Sequence, residues 1–228
     1  MSVMRSDYLP TRADLASIIR LASQIVLIQV GLISMGTVDS IMVGHVSAEA
    51  LAAVALGNLY SFGCMSFGIG TLLALDSVIA QALGAGDAPA IARGVQRGLV
   101  LALLITIPTS LALLTVEPVL LLMAQPPEVV PLASGYVYRI LPGLFPFFAF
   151  VALRQTLQAH HQTRAVLLSI IVANLANVVL NYVWIYGKLG FPALGVLGSA
   201  WSTLVCRWLM AALLLVLGRA SHPDPAGS

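Results

Sequence analysis

The chain is poor in charge. Asp, Glu, Lys and Arg make up only 9% of its 228 residues, against about 25% in an ordinary soluble domain, and that shortage excludes a water-soluble globule. Cysteine is scarce as well. Cys64 and Cys206 both fall inside apolar segments, where they read as small buried hydrophobes; two such residues, without closely spaced further ligands, make neither a disulfide framework nor a metal centre. Basic residues are few and are not interleaved with aromatics, which excludes a nucleic-acid partner. The turn GAGDAP, Gly84 to Pro89, lacks the lysine and the serine or threonine of a phosphate-binding loop and follows no strand, so ATP-driven transport by this chain has no support. Apolar residues are what the chain has in plenty: 59% are hydrophobic and the mean hydropathy is +0.97. This is the composition of an all-α, polytopic membrane protein, and no enzymatic constellation stands out.

Six apolar segments of spanning length can be laid along the chain. A polar leader, residues 1–20, carries Arg5, Arg12 and Arg20. The first span then runs over about residues 21–43 and the glycine-rich second over about residues 50–83. A third, about 99–116, is interrupted by Pro108, and AQPPEVVP forms the next loop. The fourth has an apolar centre of only about 14 residues, 140–153, flanked by Arg139 and Arg154, which can snorkel to the two interfaces; Pro142 and Pro146 suggest a kink. The fifth spans about 166–186 and the sixth about 196–217. The transmembrane lobe is thus residues 21–218, followed by a polar tail, 219–228. A secretory signal is the competing reading of the first segment, but its apolar stretch is too long for an h-region of about 7–15 residues and holds an aspartate.

With both termini in the cytoplasm, the inside segments hold Arg5, Arg12, Arg20, Arg93, Arg97, Arg154, Arg164 and Arg219, and the outside segments hold Arg139 and Lys188. Eight against two follows the positive-inside rule. The expected location is therefore the plasma (inner) membrane, multi-pass, with membrane lipids as neighbours.

Against this background one carboxylate matters most. Asp39 lies near the outer end of the first span, and an ionisable group inside a membrane helix is costly enough to mark a functional site and to require partners. At a rise of 1.5 Å per residue, Asp39 is about 28 Å above Arg20, and Asn181 is about 25 Å above Arg164. Asn174, Asn177, Asn181 and Trp184 fall at i, i+3, i+7 and i+10, on one face of the fifth span. Ser199, Ser202 and Thr203 occupy the first turns of the sixth. Two readings of this polar stripe are open: inter-helix glue, at roughly 0.6–2 kcal/mol per hydrogen bond, or a polar pocket shared with Asp39.

Asp76 stands about 12 Å from the inner turn at Gly84, roughly 15 Å from the depth of Asp39. That mismatch argues against a proton-sharing protease dyad, whose carboxyls meet at about 3 Å. Asp76 reads as an inner-mouth charge, with Arg207 its candidate partner by depth. His45, His160 and His161 sit at loop edges and form no ligand cluster.

Several segments together resemble the multidrug and toxic compound extrusion (MATE) family, in particular its bacterial NorM-type branch: VDSIMVGHVSAEALAAVALGN, ALDSVIAQALGAGD, RGLVLALLITIP, LRQTLQAHHQTR, and NVVLNYVWIYGKLGFPALGVLGSAWST. They cover nearly the whole chain in order. The resemblance implies a cation-coupled antiporter of two six-helix lobes, this chain matching the N-terminal one. It implies that Asp39 is the coupling carboxylate for H⁺ or Na⁺, with Asn177, Asn181 and Thr203 in the same pocket and no other cofactor. Some members carry an aspartate at the position of Asn181, and glycines where this chain has Ala159, His160 and His161.

The resemblance further implies small lipophilic or cationic substrates. Asn174, Trp184, Met35 and Tyr60 are the candidates for lining their cavity. On this view the first span, hinged near Gly31 or Gly36, repacks against the asparagine stripe when Asp39 takes up a cation. Alternating access needs a second unit to move against, which points to a partner lobe, from a longer gene, a separate half or a second copy. A lipid-linked sugar flippase and a non-transporting membrane protein are the alternatives in other classes.

Overall fold

The computed structural model describes residues 12–86, 88–160 and 162–220; most of the polar tail, the start of the leader and His161 lie outside the described residues. The described residues form α1 (Arg12–Gly44), α2 (Ala48–Gly84), α3 (Ala88–Leu114), α4 (Val116–Leu122), α5 (Val130–Ile140), a 3-10 turn (Leu141–Gly143), α6 (Leu144–Ala159), α7 (Thr163–Tyr186) and α8 (Val196–Ala220). Six stretches are long and apolar enough to cross a bilayer, the fourth being α5, the 3-10 turn and α6 taken together. The expected all-α, six-span bundle is what the chain forms. Helix α1 already includes Arg12, the first described residue, well inside the stretch read as leader.

Local chemistry sets the helix ends. The Ser47 hydroxyl accepts the Ala50 N–H at 3.0 Å, and Glu49 occupies the first turn of α2, an N-cap with a favourable dipole partner. At the same end of the bundle α7 stops at Gly187, whose φ of 65° only glycine adopts freely, and Lys188 N–H turns back to the Val183 carbonyl at 2.9 Å. Within the spans, hydroxyls that have no water to bond fold back on their own helix: Ser34 to Val30, Thr37 to Ile33, Ser66 to Phe62, Thr71 to Phe67. Such i−4 bonds satisfy a polar group inside hydrocarbon without a neighbour's help.

Three features differ from the sequence expectation. Pro108 does not interrupt the third span; it lies inside a continuous α3, since a single missing donor is tolerated where the flanking helical bonds are kept dry. A separate short helix, α4, follows it. The fourth span is also more than twice its expected length, because Arg139 does not mark its outer limit: the guanidinium donates to the Gly135 carbonyl of its own helix at 3.0 Å. Pro142 lies in the 3-10 turn and Pro146 in the first turn of α6, so the two prolines break the span into α5 and α6. This span is the centre of the bundle, with 67% of its most apolar window buried against 17% for the first span.

Helix α1 is a peripheral element laid along α7, and α7 packs most closely on α8. Gly198 permits that approach: a Cβ there would stand 2.6 Å from the backbone carbonyl of Trp184. Two apolar cores result. One gathers Val43, Val54, Leu113, Tyr136, Ile185 and Val196 among others. The second gathers Ile28, Met35, Phe150, Val166, Ile170 and Met210. On α1, Met35 belongs to the second and Val43 to the first. Asp39, one turn from each, lies between them.

Candidate functional site: a buried carboxylate between two cores

Asp39 is 1% exposed, so its carboxylate must find every partner inside the protein. Three side chains supply them. Asn177 Nδ2 donates to Oδ1 at 3.1 Å and Asn181 Nδ2 donates to the same oxygen at 2.6 Å. The Thr203 hydroxyl donates to Oδ2 at 2.7 Å. Asn181 Nδ2 also reaches Asn177 Oδ1 at 3.2 Å, which locks the two carboxamides, four residues apart on α7, into one arrangement. Asn177 and Asn181 are fully buried and Thr203 nearly so.

The set is rich in unused oxygen. Asn181 Oδ1 is buried and accepts no hydrogen bond, and Ser199 Oγ, one turn from Thr203 on α8, is buried without a partner as well. A buried acceptor left open costs free energy and invites a donor or a hard cation. The carboxylate, carboxamide and hydroxyl oxygens of Asp39, Asn181 and Thr203 are ligands of the kind a hard ion takes. Among the described residues no group of three or more His, Cys, Asp or Glu comes together.

The remaining predicted residues scatter. Asn174 donates its Nδ2 to the Gly31 and Ile170 carbonyls, both at 2.9 Å, and so ties α1 to α7. It is part of a seam that also includes Thr163 with Gln24 at 2.9 Å and Tyr186 with the Met42 carbonyl at 2.7 Å. Met35 is packed in the core one turn from Asp39. Trp184 is half-buried, its backbone against Gly198. Tyr60 is elsewhere, its hydroxyl bonded to the Ala112 carbonyl and to Thr115 Oγ1 at 2.9 Å each. Of the two expected hinge glycines, Gly31 is a close contact, with Ile170 Cγ2 at 2.6 Å from an added Cβ, and Gly36 has open space. The side chain of Asp76 lies outside the described residues, and with it the pairing to Arg207. Arg207 itself stands over the Phe147 ring, 5.1 Å from its centroid.

Sequence reasoning missed Tyr136. This residue is 1% exposed, donates its hydroxyl to Asn58 Oδ1 at 2.9 Å, and lies beside Thr203 within electrostatic reach of Asp39. Its signal was weak, because it falls before the apolar window used to place the fourth span.

A model of the MatE family matches residues 25–183. The chain belongs to the MatE family. Among curated members it is 34% identical over 204 residues to the multidrug resistance protein NorM of Vibrio parahaemolyticus, covering 90% of this chain and 45% of that protein. It is likewise 34% identical to the probable multidrug resistance protein NorM of Bradyrhizobium diazoefficiens, covering 91% and 44%. The chain therefore spans slightly less than half the length of these MatE relatives. In fold it is similar to a MATE crystal structure in the bent conformation, with a TM-score of 0.79, 23% identity and coverage of 92% of this chain and 48% of that one. It is also similar to the eukaryotic MATE transporter AtDTX14, with a TM-score of 0.80, 22% identity and coverage of 87% and 44%. As a MatE lobe it is a multi-pass integral membrane protein.

Proposed function

We propose that this chain is one six-helix lobe of a cation-coupled exporter of small lipophilic, often cationic compounds, and that Asp39 is its coupling carboxylate. The observation that carries the reading is the Asp39 site itself: a carboxylate with almost no exposure, set between two apolar cores and held by donors from α7 and α8. Its three donors satisfy the carboxylate, and beside it lies an open buried oxygen, Asn181 Oδ1, that a merely structural aspartate would not need. The coupling ion is H⁺ or Na⁺, since the oxygen set accepts either.

The chemistry is simple. An ionised Asp39 draws the donors of Asn177, Asn181 and Thr203 toward α1. A cation on Asp39 removes the charge that holds those donors, loosens the α1–α7–α8 contact, and lets α1 move along the seam. Export then requires a second six-helix unit, against which this lobe rocks. The names of the relatives, multidrug resistance proteins, favour drug-like substrates. The arginine distribution favours cytoplasmic termini in the plasma membrane, and Arg139, once counted outside, is drawn into the fourth span without reversing that bias.

Ethidium accumulation tests the reading. Efflux-deficient cells producing this chain, with and without a co-produced second lobe, should accumulate less dye than controls, in a manner that depends on sodium or on external acidity. Asp39→Asn should insert normally and lose that dependence. Full cation-dependent efflux by Asp39→Asn would sink the assignment.

A further inference from the structure

Arg207 is a charged group near Asp39 that the site does not use. It stands on α8 four residues after Thr203, and so on the same helical face, one turn from the hydroxyl that holds Asp39 Oδ2. A guanidinium has five N–H donors and ordinarily grips a carboxylate with two of them. Here it makes no hydrogen bond or direct ion pair among the described residues, and its Nη1 is buried without a partner. Two contacts hold it instead. Its Cζ lies over the face of Phe147 at 5.1 Å, within cation–π range. Its stem fills the space beside the 3-10 break, where a Cβ on Gly143 would come 3.1 Å from its Cδ. Among the described residues, the titratable groups within electrostatic reach of Asp39 are Arg207 and Cys206 on α8 and Tyr136 on α5. Of these only Arg207 carries a charge at neutral pH, and α7 presents uncharged carboxamides.

We infer that Arg207 is a positioning residue for the coupling step: a fixed positive charge, seated on the Phe147 ring and not bonded to Asp39, that weakens cation binding at Asp39 so that the cation leaves again. The inference rests on the reading of Asp39 as the coupling carboxylate. An arginine paired directly with Asp39 would occupy the carboxylate and close the site. One in water would be screened. A guanidinium in a low-dielectric interior, not bonded to the carboxylate, does neither, and its field is little screened by salt. A site that must load and unload needs binding that is favourable but not tight, the requirement that also governs conduction through channels.

Cation titrations of the full chain in nanodiscs, read by intrinsic tryptophan fluorescence with sodium and separately with protons, test this. Arg207→Gln should lower the half-saturating cation concentration roughly three- to tenfold, a gain that general damage to the fold does not produce. Arg207→Lys should keep the wild-type midpoint. Phe147→Leu changes no charge, but it frees the guanidinium to approach Asp39 and should raise the midpoint several-fold; it decides the matter if Arg207→Gln does not fold. An unchanged or raised midpoint in folded Arg207→Gln, or an unchanged one in Phe147→Leu, overturns the inference. A saturable response that survives in Asp39→Asn overturns instead the assignment of Asp39 beneath it.

Discussion

Asn181 gives Asp39 its shortest hydrogen bond, 2.6 Å from Nδ2 to Oδ1, while its own buried carbonyl oxygen accepts nothing. The two asparagines on the carboxylate are therefore not equivalent. Asn177 donates at 3.1 Å and has its oxygen engaged by Asn181. Asn181→Ala removes both the stronger donor and the open oxygen, and should weaken sodium or proton binding by about tenfold or more, a charge-assisted hydrogen bond being worth about 1.5–3 kcal/mol. Asn177→Ala should cost less. The comparison of the two midpoints in one titration checks the order.

Gly198 is where α7 and α8 meet backbone to backbone, and an added Cβ would stand 2.6 Å from the Trp184 carbonyl. Neither backbone can give way cheaply, so Gly198→Ala should destabilise the lobe by about 1–3 kcal/mol and draw Thr203 away from Asp39. Gly36→Ala, with nothing within 4 Å of the new methyl, should leave thermal stability unchanged or slightly raised. Paired melting curves in detergent separate the two.

Much of this arrangement could be read before any coordinates. Asp39 announced itself because charge is so rare here, and helical rise alone put Asn177, Asn181 and Thr203 at its level; depth is a one-dimensional quantity that sequence encodes well. Rotation about the bundle axis is encoded poorly. Hence sequence does not say which way Tyr60 and Met35, the expected cavity-lining residues, face: one bonds to the end of α3 and the other fills a core. The fourth span was misjudged for a different reason. A hydropathy window ends at a charged residue, but Arg139 satisfies itself on the Gly135 carbonyl, so the helix continues past it, and Tyr136 was left in the discarded part. The second-span glycines divide in the same way: Gly57 and Gly68 are close contacts and Gly63 and Gly70 face open space, a distinction that spacing does not reveal.

Tyr136 makes its own prediction. The ring packs against Gly57, and the hydroxyl donates to Asn58 at 2.9 Å. Tyr136→Phe keeps the packing, removes the hydroxyl beside Thr203, and leaves Asn58 Oδ1 without that donor. Stability should fall by about 1 kcal/mol, measured as a lower melting temperature, whereas Tyr136→Ala, which empties a fully buried ring site, should cost about 3–5 kcal/mol.

Asn174 settles which part of the asparagine stripe is glue. It lies on α7 with Asn177 and Asn181, but its Nδ2 bonds the Gly31 and Ile170 carbonyls and not Asp39. Asn174→Ala removes the tie to α1, and should lower thermal stability by roughly 0.6–1.7 kcal/mol, the range of inter-helix side-chain hydrogen bonds in a bilayer. The cation midpoint should not move, because no ligand oxygen of Asp39 is touched. Asn181→Ala should do the reverse, shifting the midpoint by far more than its melting temperature suggests. If Asn174→Ala moves the midpoint as far as Asn181→Ala does, the stripe acts as one unit, and the division between an α1–α7 seam and an Asp39 site fails.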